Sequence, residues 1–179
     1  MTSWILSVTM TSWILSVLMA LAFLPSSATA QSKDTLVGTW KLVDATDTTE
    51  KGEVIDHVYG QDPTGFLTYT PDGRMMAIVT YGGRKPFSAV PAPVQETAEA
   101  FFTFFAYAGR YTLSGDRVTH HIEAAWRQDW ANTDQIRFIV KLEANRMTLR
   151  TPPLVLSNGV RLAKEELIWK RMKPDAAGR

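Results

Sequence analysis

His57, His120 and His121 are the only histidines in 179 residues, and the chain has no cysteine. The missing thiol excludes a disulfide framework, a thiolate metal site and a cysteine nucleophile. His120 lies in the run Val118-Thr119-His120-His121-Ile122-Glu123-Ala124-Ala125-Trp126-Arg127. At the period of a β-strand, Val118, His120, Ile122, Ala124 and Trp126 share one face, and Thr119, His121, Glu123, Ala125 and Arg127 share the other. With the apolar face turned inward, His120 is a lone imidazole among aliphatic and aromatic groups. Three roles suit it: a hydrogen-bonded core histidine, a polar anchor for a bound molecule, or a proton carrier near neutral pH. Trp126 would add a ring to the same surface. His121, Glu123 and His57 are residue types that ligate metals, but nothing in their spacing enforces a site, and no metal is expected.

Arg137 is the second candidate. Ile136, Phe138, Val140 and Leu142 form the apolar face of its strand, which places Arg137 on the outer face with Gln135, Ile139 and Lys141. A bulge near Gln135 would turn it inward, where its forked donors could hold a carboxylate or enolate oxygen. Tyr69 and Tyr111 could each bring a phenol to the same interior. There is no Gly-rich phosphate loop, dinucleotide fingerprint, HExxH or Gly-x-Ser-x-Gly in the chain, so no cofactor is expected and no residue is assigned as catalytic.

These residues need strands to position them. From Leu36 onward, short apolar runs alternate with period two and are separated by turn formers. The runs are Leu36–Val43, Glu53–Tyr59, Phe66–Thr70, Arg74–Tyr81, Arg110–Leu113, Arg117–Arg127, Gln135–Leu142, Arg146–Arg150 and Leu162–Arg171. Pro71-Asp72-Gly73 joins two of them as a tight hairpin turn. A Pro-rich stretch, Arg84 to Pro93, leads to one helical segment, Val94–Ala106, whose Phe101, Phe104 and Phe105 recur at helical spacing. The expected fold is all-β: an antiparallel barrel with one short helix between strands, closed so that no long edge is left exposed.

The order of motifs points the same way. Gly38-Thr39-Trp40, Tyr59-Gly60, Pro63-Thr64-Gly65-Phe66-Leu67-Thr68-Tyr69 and Asp72-Gly73-Arg74-Met75 are followed by Tyr107-Ala108-Gly109-Arg110-Tyr111, the His120-His121 strand, Gln135-Ile136-Arg137 and Leu167-Ile168-Trp169-Lys170-Arg171. Over Leu36 to Arg171 the chain resembles the bacterial and fungal lipocalin-like domain family of the calycin superfamily. The resemblance implies a lipocalin-like barrel in which Trp40 closes one end, Arg171 lies across its ring, and Gly38 lets neighbouring backbone approach. It implies no particular activity. Where the family pattern has glycine before its Thr-x-Gln stretch this chain has Asn132, which also tolerates positive φ.

The charges nearly cancel, with 19 Lys and Arg against 18 Asp and Glu, so no basic surplus points to nucleic acid. Residues 1–32 carry none of them. An apolar run from Trp13 to Leu24, then Pro25 and small residues at Ala28 and Ala30, reads as a signal peptide over residues 1–30, with the barrel domain over 31–179. The unit MTSWILSV stands at Met1–Val8 and again at Met10–Val17, so a start at Met10 would leave a leader of ordinary length. The expectation is a secreted or periplasmic barrel, with no membrane anchor after cleavage, that binds a small hydrophobic molecule through His120, Tyr69, Tyr111, Trp126 and Arg137. The alternative is an isomerase, cyclase or hydratase in which His120 works with Arg137 or a tyrosine. Sequencing the amino terminus of the exported protein should read Gln31 first; a product beginning at Met1 or Met10 would refute the leader.

Overall fold

Alternation of large apolar and polar side chains carries through the chain as a row of inward and outward positions. The structure, a computed structural model, describes residues 33–156 and 159–173; the expected leader lies outside them. A one-turn helix α1 (Lys33–Leu36) precedes β1 (Gly38–Thr49), β2 (Val54–Ile55), β3 (Thr64–Tyr69), β4 (Arg74–Thr80), helix α2 (Val94–Phe102), β5 (Phe104–Ser114), β6 (Arg117–Ala125), β7 (Asp134–Leu142), β8 (Arg146–Arg150), β9 (Leu154–Val155) and β10 (Arg161–Arg171). Eight of the strands form a closed antiparallel barrel, because β10 pairs with both β8 and β1. The two-residue strands β2 and β9 add to the rims of β1 and β10.

Alternation is cleanest in β3 and β4, where Gly65, Leu67, Tyr69, Met75, Ala77 and Val79 are buried and their neighbours are not. The turn between them forms at Pro71-Asp72-Gly73, with Gly73 at φ +88° and its N–H donating to the Thr70 carbonyl at 3.1 Å. Three elements differ from the sequence reading, the first being β1, which runs on to Thr49 beyond the expected end at Val43. Helix α2 ends at Phe102, and Phe104 to Ala106 belong to β5, where their backbone pairs with Thr80 to Ile78. Phenylalanine suits a pleated strand as well as a helix, and here the sheet neighbour decides. In Glu53–Tyr59, only Val54–Ile55 pairs as strand.

Bulges reset the faces. Between Ala108 and Gly109 the β5–β6 register slips by one, so Ala124 turns outward and Ala125 packs inward. Gly109 makes this possible, since a Cβ there would lie 2.0 Å from the His121 carbonyl oxygen.

The end of the barrel near α1 is shut. Trp40 is fully buried and its indole N–H donates to the Leu36 carbonyl at 2.9 Å. The Arg171 guanidinium lies 4.0 Å from the centre of its ring and donates to carbonyls of Val37, Ala144 and Thr35. Its own backbone requires Gly38, at φ +133°, and the space it leaves is filled by Arg171 rather than by neighbouring backbone, since a Cβ would meet Nη1 at 2.6 Å. Trp40→Ala should therefore lower the unfolding free energy by about 3–5 kcal/mol in urea titrations. A loss below about 1 kcal/mol would show that closure does not depend on this ring.

Candidate functional site

Away from this plug the barrel opens into a cavity of about 1100 Å³, at the upper end of the range of small-molecule sites (about 300–1,000 Å³). Its rings form a continuous belt. Tyr81 and Tyr59 are 4.8 Å apart between centres, Tyr59 and Phe105 5.6 Å, Phe105 and Trp126 5.8 Å, and Trp126 and Trp130 5.0 Å. Trp126 reaches this belt from the segment just beyond β6. Helix α2 has no buried residue, and its Phe101 and Phe102 lie at the cavity while remaining largely exposed. Aliphatic lining comes from Leu67, Ala77, Leu149 and Leu167.

Arg137 faces inward. The register decides this, because Arg137 stands directly opposite Val118, which is fully buried. Opposed residues in an antiparallel pair project from the same face. The slip between Ile139 and Lys141 comes later in the strand, so Gln135, Arg137 and Ile139 look inward while Val140 is exposed. The outer face holds Phe138, covered by the guanidinium of Arg150.

From Arg137 a chain of polar groups runs into the core. Arg137 hydrogen-bonds Tyr107, whose hydroxyl is 3.3 Å from His120 Nδ1, and His120 Nε2 is 2.7 Å from the Tyr69 hydroxyl. A hydroxyl can donate or accept, so either phenol can give a proton to, or take one from, the imidazole nitrogen it faces. Burial, with the charge of Arg137 next, holds the His120 pKa well below the ordinary histidine value. Both ring nitrogens are thus occupied, and the imidazole is neutral. Burial likewise raises Tyr69 and Tyr107.

Of the residues expected to meet a ligand, His120, Trp126 and Arg137 line the cavity. Tyr69 and Tyr111 stand at the shut end instead, 4.8 Å apart, with the Tyr111 hydroxyl donating to the Thr70 carbonyl at 3.0 Å. The phenols that line the cavity are Tyr59, Tyr81 and Tyr107. His57, His121 and Glu123 do not converge. His57 pairs with Asp44 at 3.0 Å, and Glu123 is held by Arg74 and Arg110. His121 bridges Thr112 at 3.0 Å and Asp134 at 2.7 Å. That last series has the order of a hydrolytic triad, but Thr112 and His121 lie outside the residues lining the cavity.

Residues 37–172 match the lipocalin-like domain family. The chain belongs to that family. Comparison with curated proteins finds no match. Among solved structures the chain is similar to a lipocalin-like protein from Bacteroides uniformis ATCC 8492, at 12% identity and a TM-score of 0.41, covering 77% of this chain and 99% of that one. It is also similar to a polyisoprenoid binding domain from Saccharophagus degradans implicated in plant cell wall breakdown, at 9% identity and a TM-score of 0.34, covering 76% and 99%. Asn132 takes a positive φ of 60°, the backbone geometry expected of it from the sequence.

Two carboxyl groups of the lipocalin-like cavity escaped sequence reasoning. Asp47 of β1 and Glu165 of β10 are paired across the closing seam, and both line the cavity. Glu165 alternates in phase with inward Leu167 and Trp169, whereas Asp47 lies in the polar stretch beyond Val43, where the sequence reading expects no strand. Tyr59 donates to Glu165 Oε1, while burial still raises the Glu165 pKa. Burial, then the charge of Glu165, pushes Asp47 up to about 7. A carboxyl raised from 3.8 to about 7 binds more protons folded than unfolded, so its contribution is complete below about pH 4 and is lost as pH rises through 7. Asp47→Asn should therefore melt a few degrees above wild type at about pH 8, with the gap closing by about pH 4. A gap that widens on acidification would contradict this environment.

Proposed function

We propose that this exported lipocalin-like barrel binds a small hydrophobic molecule in its interior, in a secreted or periplasmic setting reached by cleavage after Ala30. One observation carries the reading: a cavity of about 1100 Å³, walled by rings and aliphatic side chains, contains two buried polar atoms with no partner among the described residues, Asp47 Oδ1 and Trp169 Nε1. Buried polar groups are ordinarily satisfied, and those left over at a cavity wall suit the few polar atoms of an apolar ligand. Among the described residues no helix is long and apolar enough to cross a membrane.

The geometry favours binding over proton transfer by His120. A general base needs a free nitrogen within reach of the proton it removes, whereas both nitrogens of His120 are engaged by tyrosines. The alternative of an isomerase, cyclase or hydratase built on His120 with Arg137 therefore has the weaker support. Thermal-shift and native mass spectrometry against a panel of lipophilic metabolites should give a bound species. At a hundredfold excess over Kd the melting temperature should rise by about 5–10 °C. Failure of every apolar compound to bind or stabilise the protein would overturn the reading.

A further inference from the structure

The interior carboxyl groups of the cavity outnumber its interior cation. β1–β10 pairing puts Asp47 opposite Glu165, so both side chains project from one face of adjacent strands. Glu165 has partners: the Tyr59 hydroxyl donates to it, and the positive charge of Arg137 lowers its pKa against the effect of burial. Asp47 has neither. It is 7% exposed, and its Oδ1 has no hydrogen bond. The titratable groups acting on it are Glu165, which raises its pKa, and Tyr81, whose own pKa the Asp47 charge raises.

The positive groups are already engaged. Arg137 donates to the Ile136 carbonyl at 2.7 Å and to Tyr107. At the cavity's edge Arg127 holds Asp129 through bonds of 3.0 and 2.6 Å, and Asp134 is paired with His121 at 2.7 Å. A buried carboxyl facing a second carboxyl is an acceptor without a donor, and it is most strongly satisfied by a charged N–H group.

We infer that the polar end of the ligand is a protonated amine, seated between Asp47 and Glu165, with its apolar body against Leu67, Ala77, Leu149 and Leu167. This rests on the reading that the cavity holds a hydrophobic molecule, and it narrows that class to apolar amines. It also reverses the expectation that Arg137 recruits an anionic oxygen. The guanidinium instead holds the Tyr107–His120 chain and balances Glu165.

Three probes with one tail separate the two readings: dodecylamine, dodecanol and dodecanoate, titrated below their aggregation thresholds into the purified protein by calorimetry. At about pH 8 the amine is still an ammonium ion while Asp47 has lost its proton. The amine should then bind about tenfold tighter than the alcohol, and dodecanoate weakest. The preference should shrink at about pH 5.5, where Asp47 is protonated. Asp47→Asn should abolish the preference, read as the ratio of amine to alcohol affinity. Glu165→Gln, which keeps an acceptor for Tyr59, should reduce it and serves equally if the first variant does not fold. Equal affinity for all three probes, tighter binding of dodecanoate, or a preference that survives both substitutions would overturn the amine assignment and leave the apolar reading standing. Failure of all three to bind would overturn both.

Discussion

Pairing of β1 with β10 is the constraint on which the rest of this molecule depends. Without it the eight strands would form an open sheet with two long edges, which invites association with other chains. With it, the apolar faces of the barrel strands are enclosed, and the end near α1 is shut by Trp40 and Arg171. The seam is secured by one dense cluster. Arg171 lies over Trp40, donates to the carbonyls of Thr35, Val37 and Ala144, and occupies the space that Gly38 leaves empty. In a chain without cysteine, packing and hydrogen bonds of this kind must supply what disulfides supply in many small exported domains.

The same seam creates the molecule's electrostatic tension. Closing the sheet brings Asp47 of the first strand against Glu165 of the last, two acids far apart in sequence and adjacent in space. Two carboxyls side by side at this seam oppose folding when both are ionised, because the charge of one raises the cost of ionising the other. Arg137 and Tyr59 relieve Glu165 alone. A fold that optimised only stability would put an apolar or neutral residue at position 47, so an unpartnered carboxylate facing a cavity is better explained by what enters the cavity. The opposite wall shows the contrasting solution. There Arg137, Tyr107, His120 and Tyr69 are linked in one hydrogen-bonded chain, and burial with the charge of Arg137 keeps the imidazole neutral.

Much of the fold was readable in the chain. Strands β3 and β4 alternate without interruption, their turn carries its own signal, and the motif order from Gly38-Thr39-Trp40 to Trp169-Lys170-Arg171 marks the family. Trp40 and Arg171 were found because each is a distinctive residue in a distinctive place. The site was only half legible. His120 and Trp126 fell on the inward face by simple alternation, although a bulge turns Ala124 out between them. Arg137 was ambiguous because both faces of its strand carry apolar residues, and only its register against Val118 chose between them. Phe104 and Phe105 suited either helix or strand until the neighbouring strand claimed their backbone.

What the sequence alone determined, then, is local and periodic: an all-β chain, where it turns, which strands have one wet and one dry face, and which chemistries its residue types exclude. Tertiary structure decided everything that depends on register. It set which face Arg137 presents, which nitrogens of His120 are occupied, and which acids meet. The physical reason is that a strand repeats every two residues, so a single bulge or slip exchanges inside for outside, and nothing in a strand's own residues fixes its alignment with a partner distant in the chain. Asp47 and Glu165 are unremarkable acids in sequence. Barrel closure makes them a pair.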